Sequence, residues 1–167
     1  MERIYLTGFM GSGKSFTGAR LAQRLGYAFV DLDAEIEEAA GKTISEIFAA
    51  EGEDHFRQLE SDALSETFRR SGVVVATGGG APCFHGGMAR MNAYGTTVFL
   101  DPPMVVLLER LTAERAHRPL LAVTAELRKT VEEKLYLRRP VYERALVQLR
   151  LSDPHADAAR TLARLLT

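Results

Sequence analysis

A short segment near the start of the chain has the residue types of a phosphate-binding loop. Residues 8–15 read Gly-Phe-Met-Gly-Ser-Gly-Lys-Ser, which fits the pattern G-x-x-x-x-G-K-S/T. The apolar run Ile4–Leu6 precedes the segment and an amphipathic helix pattern follows it, so a plain glycine-rich turn is disfavoured. Backbone N–H groups and the start of the helix would surround the phosphates. We therefore expect a nucleoside triphosphate, with Lys14 on its β- and γ-phosphates and the Ser15 hydroxyl on Mg²⁺.

Two carboxylates follow the second apolar run. Asp31 and Asp33 end the segment Phe29–Asp33, and side chains two apart on an extended strand share a face. We interpret them as one acid near the metal and one near the acceptor. Asp31 would help to hold Mg²⁺ through its water shell, and Asp33 would accept a hydrogen bond from an acceptor hydroxyl and could take its proton. Two solvated turn residues, or an N-cap for a helix that begins near Ala34, are the alternatives.

Glycine and arginine mark three further places. Val73–Thr77 leads into Gly78–Gly80, and glycines at a strand's carboxyl end let a ligand approach the backbone closely; a loose loop is the alternative. Arg57 stands three residues before Glu60, so the two could simply pair on the surface. The stretch Arg110–Leu121 is rich in cations, which suits either a solvated loop or the stabilisation of a transferring phosphoryl group.

The composition is that of an ordinary globular domain. Of 167 residues, 46% are hydrophobic and 26% are charged, and the net charge is −1, which argues against broad nucleic-acid or anionic-membrane binding. No apolar run has the ~20 residues that span a bilayer, and the first strand pattern begins almost at residue 1. The single cysteine, Cys83, excludes an internal disulfide framework. We expect one cytoplasmic domain in which Cys83 and His85 pack or face solvent rather than bind a ligand.

Strand patterns alternate with helical patterns along the chain. The strand patterns lie at Ile4–Leu6, Ala28–Asp31, Val73–Thr77, Thr97–Leu100 and Val147–Leu151. This alternation predicts an α/β protein whose mostly parallel sheet is covered on both faces. After the second strand, Gly41 is expected to end one helix, and Thr43 with Glu46 to form a capping box for the next. A later helix is predicted at about 125–137, just before Arg138.

Together these motifs resemble the shikimate kinases, small members of the nucleoside-monophosphate-kinase-like group. The resemblance covers nearly the whole chain and, beyond the nucleotide loop, rests on motifs that occur in family order. They are Asp31-x-Asp33, Phe56-Arg57-x-x-Glu60, Gly78-Gly79-Gly80-Ala81, Arg118-Pro119-Leu120-Leu121 and Arg138-x-Pro140-x-Tyr142. The loop alone indicates only that a nucleoside triphosphate binds, whereas the combination is specific to this family.

The resemblance implies a single domain, 1–167, with the three-layer fold of P-loop kinases. Five parallel strands would have the order 2-3-1-4-5 and be flanked by helices, with a substrate-binding helical region at about 33–61 and a lid at about 112–125. The implied activity is ATP-dependent phosphorylation of shikimate to 3-phosphoshikimate, a step toward chorismate and the aromatic amino acids. The implied cofactor is one Mg²⁺ ion bound with ATP. The implied partners are ATP and shikimate, without nucleic acid or membrane, and the implied state is a cytoplasmic monomer.

The resemblance also implies roles for individual residues. The residues implied to bind ATP are Gly11, Ser12, Gly13, Lys14, Ser15, Phe16 and Arg118. The residues implied to bind shikimate are Asp33, Arg57, Gly79 and Arg138. The implied catalytic residues are Lys14, Asp33 and Arg118, and the implied metal ligand is Ser15, with Asp31 acting through water. The chemistry agrees, because shikimate carries a carboxylate, which guanidinium groups bind well. Arg139 is given no role, because the family's substrate arginine stands four residues before the tyrosine of its motif.

Two positions depart from the family pattern. Phe16 stands where the family usually has threonine, and the segment from Arg110 to Arg118 is one residue longer than the commonest pattern, so Arg110 is not assigned a phosphate.

Another small P-loop kinase, such as a gluconate kinase, is the nearest alternative function, and this set of motifs disfavours it. A nucleoside-monophosphate kinase would not need an acid such as Asp33, because its acceptor is a phosphate. A catalytically silent nucleotide-binding module would have no reason to keep the acceptor residues.

Overall fold

Strands alternate with helices in the computed structural model, which describes residues 2–115, 125–153 and 156–167. The strands are β1 (Arg3–Thr7), β2 (Ala28–Asp31), β3 (Val73–Ala76), β4 (Thr96–Asp101) and β5 (Val147–Arg150). The α-helices are α1 (Lys14–Leu25), α2 (Leu32–Ala40), α3 (Ile44–Thr67), α4 (Gly87–Tyr94), α5 (Met104–Arg115), α6 (Ala125–Tyr142) and α7 (Ala158–Leu165). Most of the predicted lid, 112–125, lies outside the described residues. Among the helices that are described, none is both long and apolar enough to cross a membrane.

The five strands form one parallel sheet in the order β2-β3-β1-β4-β5, as predicted. The central strand is β1, in which Leu6 stands opposite Ala76 of β3 and Val98 of β4. The segment 8–15 leaves the carboxyl end of β1, and Gly78–Gly80 follows the end of β3. Because β1 and β3 are parallel neighbours, both glycine-containing segments lie at the edge of the sheet where ligands bind in this class of fold.

The side chains of the central strands pack into separate cores on the two faces of the sheet. Tyr5 of β1 and Val75 of β3 belong to a cluster with apolar residues of α2 and α3. Ile4, Leu6 and Val74 belong to another cluster, with apolar residues of α1 and α7. Strand side chains alternate between faces with a period of two, and both faces are buried here. The predicted three-layer architecture is therefore confirmed.

Helix α6 is longer than predicted and packs beside β4. It continues past the expected end at residue 137, through Pro140, to Tyr142. Proline in a helix removes one N–H donor and disturbs the preceding turn. Two contacts stabilise the added turn: the ring of Tyr142 is fully buried against Phe99 of β4, with centroids 5.2 Å apart, and Arg139 pairs with Asp101 at the end of the same strand.

The helices that follow β2 begin and end with the predicted local signals. Gly41 follows the last residue of α2 with φ of +64°, a conformation that costs glycine little. Thr43 and Glu46 form the expected capping box, in which each side chain bonds the other's backbone N–H. Helix α3 is interrupted at Gly52, where φ is +85°.

The pair of acids after β2 differs from its prediction. Strand β2 ends at Asp31, which is the N-cap of α2 and accepts a hydrogen bond from the N–H of Ala34 at 3.3 Å. Asp33 therefore lies in the first turn of α2 rather than on an extended strand. The prediction that both side chains share one strand face is wrong, because the capping interaction turns the chain into the helix before Asp33.

Candidate active site

The loop after β1 has the backbone of an anion-binding segment. Gly11 and Gly13 have φ angles of +80° and +91°, which are unfavourable for residues with a Cβ atom. Gly13 is the N-cap of α1, so that Lys14 begins the helix. The first N–H groups of a helix have no partner within it and, with the helix dipole, favour a bound anion. The geometry therefore suits a phosphate group at the start of α1.

The side chain of Lys14 is buried next to this loop. Its Nζ atom donates to the carbonyl oxygens of Gly8 and Phe9, each at 2.9 Å. Burial lowers the pKa of Lys14 to about 8, and the carboxylates of Asp33 and Asp31 oppose that shift. A phosphate bound at the loop would add negative charge beside the ammonium group, and so would stabilise its protonated form.

Ser15 and Asp31 place two oxygen atoms side by side at the loop. The Oγ atom of Ser15 donates to Oδ2 of Asp31 at 2.6 Å. Hydroxyl and carboxylate oxygens are suitable ligands for Mg²⁺, which keeps several waters and is bound by one or two protein groups together with substrate phosphates. The two side chains therefore fit the metal that the sequence implied.

Asp33 has a buried carboxylate oxygen that is not used within the described part of the chain. Its Oδ1 atom has no hydrogen-bond partner there. A methyl carbon built on Gly78 would lie 2.9 Å from this oxygen, so the carboxylate lies against the first glycine after β3. Burial raises the pKa of Asp33, the Asp31 carboxylate adds to that shift, and Lys14 opposes it. Such an oxygen is costly to leave unpaired, and a ligand hydroxyl would satisfy it.

Arg57 and Glu60 pair as expected from their spacing, but inside the protein rather than on its surface. Arg57 is 7% exposed and Glu60 is 2% exposed, and Nη1 of the arginine donates to Oε1 of the glutamate at 2.8 Å. The guanidinium group also lies over the ring of Phe84, 4.1 Å from its centroid. A methyl carbon built on Gly80 would be 2.7 Å from Cζ of Arg57. The planar cation is thus fixed directly against the glycine run.

The two adjacent arginines of α6 have different surroundings. Arg139 makes two hydrogen bonds to the carboxylate of Asp101, at 2.9 and 3.0 Å, and so connects α6 to the end of β4. Arg138 instead lies beside Gly79, since a methyl carbon built on that glycine would be 3.4 Å from its Nη1 atom. This placement agrees with the choice of Arg138, rather than Arg139, as the arginine that meets a ligand.

A cleft of about 1100 Å³ follows the carboxyl edge of the sheet. Predicted residues in its lining are Gly11, Ser12, Gly13, Lys14, Ser15, Phe16, Asp31, Asp33 and Gly79. Arg57 and Arg138 are not part of that lining. Arg138 lies against Gly79, which is, and Arg57 lies against the next residue, Gly80. The volume is sufficient for a nucleotide and a small acceptor. The cleft therefore joins a phosphate loop, a pair of metal-compatible oxygens and a carboxylate that could receive a proton.

Other residues of the cleft were not found from the sequence. Arg110 reaches the loop from α5, where its Nη1 atom donates to the carbonyl of Gly11 at 3.2 Å. Arg20 lines the cleft with its guanidinium 4.1 Å from the ring of Phe16. Asp157, the N-cap of α7, also lines the cleft and pairs at 2.8 Å with Arg24, which lies outside the lining. The contacts of Arg110 and Arg24 join segments far apart in sequence, so no local motif could reveal them.

The described residues of the cleft include neither Arg118 nor Cys83. Arg118, expected to contact the transferring phosphoryl group, lies outside the described residues. Cys83 is half-buried next to the core that contains Tyr142, and burial raises the pKa of its thiol. A protonated, packed thiol is a poor nucleophile and metal ligand. Of the two placements expected for Cys83, packing or solvent exposure, the structure shows the first.

The sequence is similar to known proteins over almost its full length. The family model described as shikimate kinase matches residues 10–166. A shikimate kinase from Bacteroides fragilis is 46% identical over 147 residues, which are 87% of this chain and 82% of that protein.

Solved structures give the same relation. A shikimate kinase from Bacteroides thetaiotaomicron is 39% identical and superposes with a TM-score of 0.88, covering 99% of this chain and 98% of that one. A shikimate kinase from Acinetobacter baumannii in complex with shikimate is 37% identical, with a TM-score of 0.84, covering 99% and 90%.

Proposed function

The chain belongs to the shikimate kinase family, and we infer that it transfers the γ-phosphoryl group of ATP to the 3-hydroxyl of shikimate. The product, 3-phosphoshikimate, leads toward chorismate and the aromatic amino acids. One observation supports this most strongly. The unpartnered, buried Oδ1 of Asp33 lies against Gly78, in a cleft whose other residues include the phosphate loop. Donor and acceptor groups are thus provided in one place.

The donor side of the reaction is assigned to residues 11–16. Their N–H groups and Lys14 bind the phosphates of ATP, and Lys14 moves from the carbonyls of Gly8 and Phe9 to the β- and γ-phosphates. Ser15 and Asp31 would hold the magnesium ion, Asp31 through water. When bound, Mg²⁺ neutralises charge on the phosphate oxygens. Arg118 is proposed to stabilise the transferring phosphoryl group, in a segment, 112–125, that excludes water from it.

The acceptor side is assigned to four residues that the fold brings to the glycine run. Asp33 accepts a hydrogen bond from the attacking hydroxyl and orients it, and can take its proton as the new P–O bond forms. Arg57 and Arg138 lie beside Gly80 and Gly79 and are proposed to bind the carboxylate of shikimate. Gly79 lets the ring of shikimate approach the backbone, because no Cβ atom stands between them.

We further propose how the molecule is organised and where it acts. Residues 1–167 are taken as one domain, with shikimate bound mainly by 33–61. The protein is proposed to be a cytoplasmic monomer whose partners are ATP and shikimate, without nucleic acid or membrane. The near-neutral net charge of −1 supports the proposal that no nucleic acid or membrane is bound. The use of ATP as a substrate supports the cytoplasm as the compartment.

The function is tested by measuring ADP release with ATP and Mg²⁺ while shikimate, gluconate and nucleoside monophosphates are offered separately. Shikimate should be phosphorylated much faster than the others, and ³¹P NMR should place the new phosphate on its 3-hydroxyl. Faster turnover with gluconate or a nucleoside monophosphate would replace the proposed substrate. ATP binding without turnover of any acceptor would indicate the silent module instead.

A further inference from the structure

Tyr142 is a buried polar residue that the proposed reaction does not use. It is the last residue of α6 and is fully buried. Its hydroxyl donates to the carbonyl oxygen of Gly79 at 2.5 Å. Burial raises the pKa of this phenol well above its ordinary value, although the charge of Arg138 opposes the shift. The hydroxyl therefore keeps its proton and remains a donor to that carbonyl.

The peptide unit that Tyr142 holds lies between the two arginines of the acceptor site. The carbonyl of Gly79 and the N–H of Gly80 belong to one planar unit, in which they point in opposite directions. Arg138 lies against the Gly79 side, and Arg57 lies against the Gly80 side. Fixing the carbonyl therefore also fixes the direction of the Gly80 N–H and the surface that each guanidinium contacts.

The same helix carries both the anchor and one of those arginines. Arg138 stands four residues before Tyr142 on α6, and residues four apart lie on the same side of a helix, one turn from each other. Gly79 also adjoins the nucleotide loop, since a methyl carbon built on it would lie 3.4 Å from the N atom of Met10. One hydrogen bond thus connects α6, the glycine run and, through Gly79, the phosphate loop.

We propose that Tyr142 is a positioning residue, whose hydroxyl holds the Gly79–Gly80 peptide so that Arg138 and Arg57 meet the acceptor carboxylate in one geometry. The proposal rests on the proposed function for its kinetic consequence only. Removal of the hydroxyl leaves a partly buried carbonyl without its donor and lets the peptide rotate between the arginines. Binding of the acceptor should suffer, whereas nucleotide binding at the start of α1 should not.

Tyr5 provides a matched control for this test. It is also a fully buried tyrosine, and its hydroxyl hydrogen-bonds the Thr67 hydroxyl at 3.2 Å. It lies on β1 in the core formed with α2 and α3, and its hydroxyl bonds the last residue of α3 rather than a residue of the glycine run. Tyr142→Phe and Tyr5→Phe each remove one buried hydroxyl and leave the ring in place, so any general effect of that loss is common to both.

The kinetic experiment measures kcat and both KM values for the wild type and the two variants. Tyr142→Phe should lower kcat/KM for shikimate by about tenfold, the size of one lost hydrogen bond, while the KM for ATP changes by less than about twofold. Tyr5→Phe should leave both near wild type. Equal values for the two variants, or an equal rise of both KM values in Tyr142→Phe, would overturn the proposal. Failure of the wild type to use shikimate would instead refute the proposed function.

A second measurement does not depend on turnover. In ¹⁵N-labelled protein, Tyr142→Phe should shift the amide resonance of Gly80 and speed its hydrogen exchange, because its peptide unit has lost an anchor. Tyr5→Phe should leave that resonance in place. An unchanged Gly80 amide in Tyr142→Phe would show that the hydroxyl does not position the peptide, whatever substrate the enzyme uses.

Discussion

The contact between Gly80 and Arg57 shows how one missing side chain can serve a binding site. The guanidinium group occupies the space that a Cβ atom on Gly80 would need. The backbone there has φ of −90° and ψ of −17°, which any residue adopts without strain. The requirement for glycine is therefore steric, and it comes from an arginine on α3 that is distant in sequence but adjacent in space.

We predict that Gly80→Ala displaces Arg57 and weakens shikimate binding. The KM for shikimate should rise by about tenfold or more, as expected when a methyl group is forced into a filled space, while the KM for ATP stays near wild type. In the Arg57→Ala background the same change should have little further effect. Additive effects in this double-mutant cycle would mean that Gly80 acts on some other group.

The buried ammonium group of Lys14 gives the second prediction at this scale, a pH dependence of ATP binding. Its pKa is lowered to about 8 by burial, so the unliganded protein loses this proton as the pH rises above that value. Bound phosphates favour the charged form, so ATP binding must then include proton uptake. We expect ATP affinity to be about tenfold lower at pH 9 than at pH 7. Calorimetric titration with ATP at both pH values measures this, and equal affinities would contradict it.

Helix α6 is the element that most clearly carries two functions. Arg139 connects it to Asp101, and Arg138 brings a second cation to the glycine run. The two residues are adjacent in sequence and point to different partners, as side chains on neighbouring helix positions do. One element can thus be anchored by one arginine while the other remains available to substrate.

Substitution of each arginine should separate these two functions. Arg139→Ala should lower the Tm by about 2–4 °C, the shift for about 1 kcal/mol in a domain of this size, because the pair with Asp101 is only partly exposed and has two bonds. The KM for shikimate should hardly change. Arg138→Ala should raise that KM by about tenfold or more with a smaller change in Tm. The reverse pattern would assign the substrate to Arg139.

Secondary structure in this chain was predictable where the signals are local. The strand patterns, Gly41 at the end of α2 and the Thr43–Glu46 capping box each depend on residues a few positions apart. The end of α6 was not predictable, because contacts of Arg139 and Tyr142 with β4 oppose the helix-breaking tendency of Pro140.

The candidate site, too, was predictable where the signal is the spacing of residues along the sequence, and not where it depends on tertiary contacts. Spacing pointed to Lys14, Ser15 and Asp33, but it placed Asp33 on a strand. An aspartate at a strand end is compatible with an extended chain and with an N-cap, and Asp31 is the N-cap. The burial of the Arg57 pair and the bond from Tyr142 to Gly79 depend on tertiary packing. Such contacts have no signature along the sequence.

At the scale of the whole molecule, the site lies where separately packed parts meet. The core formed with α2 and α3 supports Asp33 and Arg57, and that formed with α1 and α7 supports the nucleotide loop. A third cluster supports α6. The carboxylates of Asp33 and Glu60 both lie against Gly78, and burial raises the pKa of each. These rigid cores hold charged groups in positions that are unfavourable for stability until a ligand binds.

Asp33→Asn tests this balance between stability and function. A carboxyl whose pKa is raised on folding destabilises the folded state above that pKa, because the unfolded chain ionises it more easily. The neutral amide should therefore raise the Tm at pH 8 by about 2–4 °C, which is about 1 kcal/mol here, and the gain should shrink as the pH falls through the raised pKa and protonates Asp33 in the wild type. Turnover at pH 7, where Lys14 stays protonated, should fall by orders of magnitude while ATP affinity changes little. The control Asp62→Asn, on the exposed side of α3, should change neither turnover nor ATP affinity. A variant that is less stable than wild type at pH 8, or one that keeps normal turnover, would contradict the role of Asp33 as the buried acid of the acceptor site.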